Sequence, residues 1–340
     1  MNILVIKQTS LGDVLHSTGH VRTIKENFPH ARLTVLTASD SADIYRANPW
    51  VDALILFEHD RLKRIRRRPL RAARHIAEVI RQVRAQRFDL AFDLQGLARS
   101  VVFLYAARAA RKYVKGRWLG LGRFRNRALH AIAEMDGVLA RAGLTVTDTS
   151  MELFTFDAER AHIDAVLARC NPDGKPLLLF SPISRWRSKD WPLSRYVEVA
   201  AHLGDGVAVA FTGAAAARAR IDEALSRWSS HHADVAAPIN LAGTLSLAQF
   251  AELAARAELL LGGDSFPMHA ACAQHTPVIA LFAPTDEAKT GPAGGGHEVI
   301  RAPGCARCDR PDCPRQCLAK LDAAVVAQRV RAKLEQLGAN

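Results

Sequence analysis

The sequence predicts an α/β protein made of two doubly wound, parallel-sheet domains. Three features carry that expectation: the length, a regular alternation of strand-like and helix-like segments, and two Gly-containing turns that each follow an apolar strand and open a helix. A chain of 340 residues, 49% of them hydrophobic, exceeds one ordinary core, and two domains of about 150 residues follow.

In the first half, β-rich runs at 3–7, 32–37, 52–57, 89–94 and 112–116 alternate with helical patterns near 14–28, 42–47, 70–87, 97–109 and 128–142. In the second half, strands at 176–181, 207–213, 258–263 and 277–282 alternate with helices at 194–203, 214–228, 246–255, 267–274 and 319–337. Strands separated by helices imply parallel sheets joined by crossovers. Between the halves lies only a helix near 158–169 and a turn, NPDGKP, which suits a boundary. The expected domains are 1–155 and 170–318, with 319–340 as a C-terminal helix able to pack back on the first domain. Ligands of such sheets lie beyond the carboxyl ends of the strands, so the reading places a cleft between two facing domains.

The net charge of +12 is concentrated. Between Arg61 and Arg127, twenty Lys or Arg face three acids, Glu78, Asp89 and Asp93, so this stretch carries +17 and the remainder −5. A field of that kind favours a polyanionic partner such as nucleic acid, anionic lipid or a phosphorylated sugar, or else is a solvated surface. Within it, Leu70, Ala73, Ile76, Ala77, Ile80 and Val83 recur at helical spacing, which leaves Arg71, Arg74, Arg81 and Arg84 outside the apolar stripe. No secretory signal pattern opens the chain and no apolar run reaches the roughly 20 residues of a membrane span, so the expectation is a cytoplasmic protein.

Cys305, Cys308, Cys313 and Cys317 form a C-x2-C-x4-C-x3-C array. In a reducing compartment this spacing makes them candidates for a structural zinc or iron, with reduced surface thiols as the alternative. Cys170 and Cys272 stand alone as small apolar residues.

Two loops carry the candidate chemistry. The turn from Thr9 through Ser10 and Gly12 to Asp13 offers free backbone N–H groups and a helix N-terminus to an anion or a polar acceptor group. Asp13, flanked by Lys7 and His16, either answers the helix dipole or acts as a general base on a nearby hydroxyl. In the second half, SRWRSKDWP places Ser184, Arg185, Arg187 and Lys189 ahead of a helix, a set suited to a diphosphate. The loop from Gly262 to His269 pairs glycines that permit close backbone approach with Asp264 and Ser265, which can bond sugar or phosphate oxygens. No G-x-G-x-x-G fingerprint and no Walker A lysine occur, which disfavours dinucleotide redox chemistry and P-loop hydrolysis.

ILVIKQTSLGDVLHST, FDLAFDLQGLARS, SKDWP and GGDSFPMHAACAQHTPVIALFAPTDEAKTGP occur in order over nearly the whole chain and together resemble the heptosyltransferases of glycosyltransferase family 9. The resemblance implies a GT-B fold of two Rossmann-like domains. It implies an ADP-heptose donor, a phosphorylated lipid A and inner-core acceptor, inversion at the anomeric carbon, and no cofactor required for catalysis. It further implies an enzyme peripheral to the inner membrane that does not act on nucleic acid. Residue by residue, Asp13 matches the general base, while Thr9, Ser10, Gly12, Gln95 and Gly96 fall on the acceptor side. Ser184, Arg185, Lys189, Gly263, Asp264, Ser265 and His269 fall on the donor side. Two positions depart from the family pattern: Phe266 stands where a glycine is usual, and Ala214 to Ala217 stand where an acid able to bind ribose is usual. A protein acceptor in place of lipopolysaccharide, and a non-catalytic polyanion-binding protein, are the other readings. The basic stretch lacks the interleaved aromatics of a single-strand platform.

Overall fold

The structure, a computed structural model, describes residues 1–58, 69–116, 129–232 and 234–338. They form two units, Met1–Phe154 and Thr155–Asn340. The basic residues of 61–68 and 117–127, and Ala128, the first residue of the helix expected at 128–142, lie outside the described residues.

In the first unit, β1 (Asn2–Ile6), β2 (Arg32–Ala38), β3 (Ala53–Phe57), β4 (Arg87–Asp93) and β5 (Arg108–Val114) make a wholly parallel sheet in the order β3-β2-β1-β4-β5. Ile3, Leu4, Val5 and Ile6 have no exposed surface, as a central strand covered on both faces requires. The helices of this unit are α1 (Leu11–Leu15), α2 (Thr18–Asn27), α3 (Ala42–Arg46), α4 (Pro69–Arg84), α5 (Ala98–Ala106) and α6 (Ala131–Arg141). α4 and α5 pack together over Leu4, Ile6, Leu36, Ile55 and Phe57.

The second unit holds α7 (Asp157–Cys170), β6 (Leu177–Ser181), α8 (Leu193–Leu203), β7 (Ala208–Phe211), α9 (Arg218–Leu225), α10 (Trp228–His231) and β8 (Ile239–Asn240). It continues through α11 (Leu247–Ala255), β9 (Leu259–Gly263), α12 (Phe266–Ala273), β10 (Val278–Phe282), α13 (Glu287–Thr290), β11 (Glu298–Arg301) and α14 (Ala323–Gly338). Its six strands are parallel, in the order β11-β10-β9-β6-β7-β8. In both sheets the strand carrying a candidate loop is interior, so its carboxyl end opens between neighbouring crossovers.

The differences from the sequence reading have physical causes. The helix expected at 14–28 is two helices, α1 and α2, broken at His16 and Ser17. β5 begins at Arg108, inside the expected helix 97–109, because pairing of Arg87 with Arg108 and Phe88 with Ala109 overrides an alanine-rich stretch. The buried stripe of α4 is Ile76, Val79, Ile80 and Val83, with His75, whereas Leu70, Ala73 and Ala77 are exposed. β8 and β11 are short edge strands with little alternation to betray them.

The second unit also takes in α7, which packs on α11, and α14, which packs on α8. Val326, Ala327 and Val330 of α14 join Trp191, Tyr196 and Val199 in one core, so the C-terminal helix completes the cover of the second unit's own sheet. Val330 has no exposed surface. Val330→Asp, which buries a carboxylate without a partner, should destabilise the second unit by several kcal/mol, on the order of 3 or more. Denaturant unfolding followed by fluorescence of the buried Trp191 and Trp228 checks it.

Candidate active site

In the first unit the candidate residues gather at the carboxyl ends of β1 and β4. Ser10 precedes α1, and Asp13 in its first turn reaches back: Ser10 N–H donates to Asp13 Oδ2 at 3.1 Å and Ser10 Oγ donates to the same oxygen at 3.0 Å. Burial alone would raise the Asp13 pKa, but the charges of Lys7 and Lys115 and the two bonds from Ser10 outweigh it and hold the group below its usual 3.8. Asp13 is half-buried and ionised at neutral pH. Lys7, buried at the end of β1, donates from Nζ to Leu94 O at 3.3 Å, and Lys115 is paired with Glu134 at 2.7 Å.

Gln95 and Gly96 act on this turn through the backbone. Gln95 Oε1 accepts from the N–H groups of Gln8 and Thr9, each at 3.1 Å. Gln95 and Gly96 N–H in turn donate to Asp93 Oδ1 at 2.9 and 3.0 Å, and Ser100 Oγ donates to Asp93 Oδ2 at 2.8 Å. Gly96 has φ +65°, and a Cβ there would meet Lys115 O at 2.4 Å, so this position needs glycine. Thr9 Oγ1 accepts from Arg99. Asp93, Arg99, Ser100, Lys115 and Glu134 were not among the sequence candidates; a buried acid ahead of Gln95-Gly96 was the one available signal, and it lay within a segment already singled out. His16, buried, packs its ring 5.4 Å from His130.

In the second unit, Lys189 and Asp264 meet. Lys189 Nζ donates to Asp264 Oδ2 at 2.7 Å and to Asp264 O at 3.2 Å, and it sits 4.6 Å from the centre of the Trp186 ring. Two of three N–H donors are engaged, which leaves one for an incoming oxygen. Asp264, 6% exposed, also accepts from Thr290 Oγ1 at 3.1 Å, and His269 Nε2 lies 3.8 Å from its other oxygen. The two glycines before it have a steric reason: a Cβ on Gly262 would come within 3.0 Å of Ser181 O, and one on Gly263 within 2.9 Å of Lys189 O. The approach of β9 to the Lys189 loop therefore depends on glycine. Ser265 is the N-cap of α12 with Pro267 in the first turn, an arrangement that presents an anion-favouring helix end.

Ser184 belongs to the same loop, where its N–H donates to Asp190 Oδ1 at 2.7 Å, whereas Arg185 and Arg187 are exposed. The two family departures find local partners. Phe266 places its ring 6.3 Å from that of Phe250. After β7, a Cβ on Gly243 would lie 2.6 Å from Ala215 Cα, so the alanine run packs against a close backbone; the first acid beyond it, Asp222, accepts from Asn240 Nδ2 at 2.7 Å.

The cysteine array does not form the expected metal centre. Cys308 lies beside Cys313 and Cys305 beside Cys317, and Cys305 Sγ donates to Ala283 O at 2.9 Å. Among the described residues, no three His, Cys, Asp or Glu side chains come together to hold an ion, so the expected zinc or iron site is unsupported.

The family model for glycosyltransferase family 9 (heptosyltransferase) matches residues 76–319. The lipopolysaccharide core heptosyltransferase OpsX of Haemophilus influenzae is 24% identical over 311 residues, spanning 88% of this chain and 84% of that one. Lipopolysaccharide heptosyltransferase 3 of Escherichia coli is 26% identical over 298 residues, with 81% and 80% covered. The crystal structure of a family 9 glycosyltransferase from Veillonella parvula superposes with a TM-score of 0.82 at 21% identity, covering 98% and 97% of the two chains. That of the Escherichia coli heptosyltransferase WaaC with ADP gives 0.74 at 22%, covering 98% and 100%. The fold is thus the GT-B fold, and the chain belongs to glycosyltransferase family 9, the heptosyltransferases.

Proposed function

We propose that this glycosyltransferase moves heptose from ADP-heptose to an inner-core sugar of lipopolysaccharide, with inversion at the anomeric carbon. The names of its relatives support the sugar and the acceptor class. The observation that carries the chemistry is the ionised Asp13, held below its usual pKa beside two lysines and a serine. In this reading Asp13 accepts the proton of the acceptor hydroxyl as that oxygen bonds to the anomeric carbon and the bond to ADP breaks. Thr9, Ser10 and Gly12, braced by Gln95 and Gly96, form the acceptor side.

Negative charge grows on the departing diphosphate, and Lys189 with the backbone from Gly263 to Ser265 meets it without having to reorganise. Asp264 and His269 orient Lys189 and the helix end, and Ser184 and Arg185 belong to the same loop. No metal is assigned a step. A lipid-linked acceptor places the reaction at a membrane surface, where the enzyme would be peripheral; no helix among the described residues is long and apolar enough to cross one. Family membership sets aside the reading as a non-catalytic polyanion-binding protein.

Asp13→Asn should reduce kcat by about 100-fold or more while leaving ADP affinity unchanged, as loss of a proton acceptor demands. Transfer from ADP-heptose to a Kdo-bearing acceptor, followed by product mass, decides it; a variant keeping a tenth of the wild-type rate rules the role out. The pH profile offers a separate check. Because the folded pKa is depressed, Asp13 stays ionised down through pH 3.8, and its acid limb should fall below that value. Lys7→Met removes the leading attractive charge, and should move the limb of kcat/KM upward. Finally, Lys189→Met should weaken ADP binding by about 10- to 100-fold in calorimetry, the worth of one charge-assisted contact.

A further inference from the structure

The carboxylate of Glu287, in the first turn of α13, is gripped by two guanidinium groups. Arg301, the last residue of β11, donates from Nε to Glu287 Oε1 at 3.1 Å and to Oε2 at 3.0 Å, and bonds Oε2 again through Nη2. Arg307 donates from Nη2 to Oε1 at 2.8 Å and from Nε to Oε2 at 3.3 Å. Both lone pairs of each oxygen are thus engaged, and the group has nothing left to offer a ligand. Arg301 directs its other contacts to the loop after β10: Nη1 donates to Ala283 O at 2.8 Å and Nη2 to Thr285 O at 2.5 Å.

Two routes lead from this carboxylate to Lys189. The first runs along α13. Thr290, at its far end, donates from Oγ1 to Asp264 Oδ2 at 3.1 Å, the same oxygen that takes Lys189 Nζ at 2.7 Å. A helix of one turn has no stability of its own, so where α13 stands follows from what grips Glu287. The second route runs through Arg307. Two residues on, Asp309 N–H donates to Pro284 O at 2.8 Å, and the carbonyls of Arg310 and Pro311 accept from Ser188 Oγ at 2.6 Å and Ser188 N–H at 3.2 Å. Ser188 adjoins Lys189. One route therefore reaches the ammonium end of the lysine and the other its backbone, and they join at Glu287.

We infer that Glu287 is a positioning residue, which fixes Lys189 for the donor's diphosphate through this closed circuit of contacts. A lysine carries its charge on a flexible four-carbon stem, and ordering that stem when a ligand arrives costs affinity. With both ends of the side chain held beforehand, the ordering is complete before ADP binds. An ion pair that only tied the edge strand β11 to its sheet would act on stability alone, and its loss would be felt equally whether or not Lys189 were present. The inference rests on the reading of Lys189 as a diphosphate contact.

The test is a double-mutant cycle on the full chain, with ADP binding read by calorimetry. Glu287→Gln keeps the side-chain volume and removes the charge. Arg307→Gln cuts the second route at a side chain that is 51% exposed, where the fold is not at risk. Each change should weaken ADP binding by about threefold or more in the wild-type background and have no effect beside Lys189→Met. Hydrogen exchange at the Ser188 and Lys189 amides should quicken in both. Equal losses with and without Lys189 would mark a general structural effect and overturn the inference, as would wild-type ADP affinity in both single variants. Wild-type ADP affinity in Lys189→Met would instead refute the donor reading. Faster amide exchange in Glu287→Gln would then leave the circuit standing as the device that places the lysine, and unchanged exchange would remove that as well.

Discussion

A buried carboxylate has to find its hydrogen bonds inside the protein, and in this chain that requirement arranges the loops. Asp93 has no exposed surface. Burial raises its pKa, and the bonds from Gly96, Ser100 and Gln95 together with the charge of Lys7 do not fully reverse the shift. The N–H groups that satisfy it fix Gln95 and Gly96, and Gln95 hands the constraint on to the backbone of Gln8 and Thr9. Asp264 plays the matching part in the second unit, with Lys189, Thr290 and His269 around it. Loss of either carboxylate's partners would strand a buried charge, at a cost of about 3–5 kcal/mol. The two anchors therefore act as positioning groups for residues that themselves stand nearer to solvent.

The same electrostatics sets a limit on Asp13. A carboxylate held below its usual pKa is always ready to accept a proton, yet it is a weaker base than one tuned toward neutrality. It cannot remove a proton from a free sugar hydroxyl, whose acidity is far lower. In the proposed reaction it becomes competent only as the new C–O bond forms and the hydroxyl oxygen turns cationic. Lowering the base in this way ties proton transfer to bond formation. In the proposed reaction the driving force then rests on stabilising the leaving group, the task the proposal gives to Lys189 and the helix end after β9.

Much of the fold was legible because parallel strands buried on both faces must be continuous apolar runs, and β1, β6, β9 and β10 are such runs. β5 was misplaced by four residues because its sequence, RAARKYV, reads as helix and is held as strand only by β4. Loop residues split the same way. Lys189 and Asp264 stand out by type and context, and the structure brings them within 2.7 Å. Arg99, Lys115 and Glu134 do not, since their roles come from neighbours 90 and 19 residues away that spacing cannot reveal.

The cysteine segment shows why spacing alone misdirects. Four thiols within thirteen residues have the reach to close on one ion, but the backbone decides whether they do. Three of the four non-glycine residues with positive φ among the described residues lie here: Arg307 at 48°, Asp309 at 51° and Gln316 at 39°. Such conformations cost of order 1 kcal/mol each and need outside support. That support is visible. Arg307 Nη2 bonds Glu287 at 2.8 Å, Asp309 N–H donates to Pro284 O at 2.8 Å, and the carbonyls of Arg310 and Pro311 accept from Ser188 Oγ and N–H at 2.6 and 3.2 Å. Glu287 itself sits at a pKa of about 2, chiefly because Arg301 bonds it. These contacts pin the segment to the end of β10 and to the residue before Lys189. The segment braces the loop that carries Lys189, and its geometry follows from what it holds.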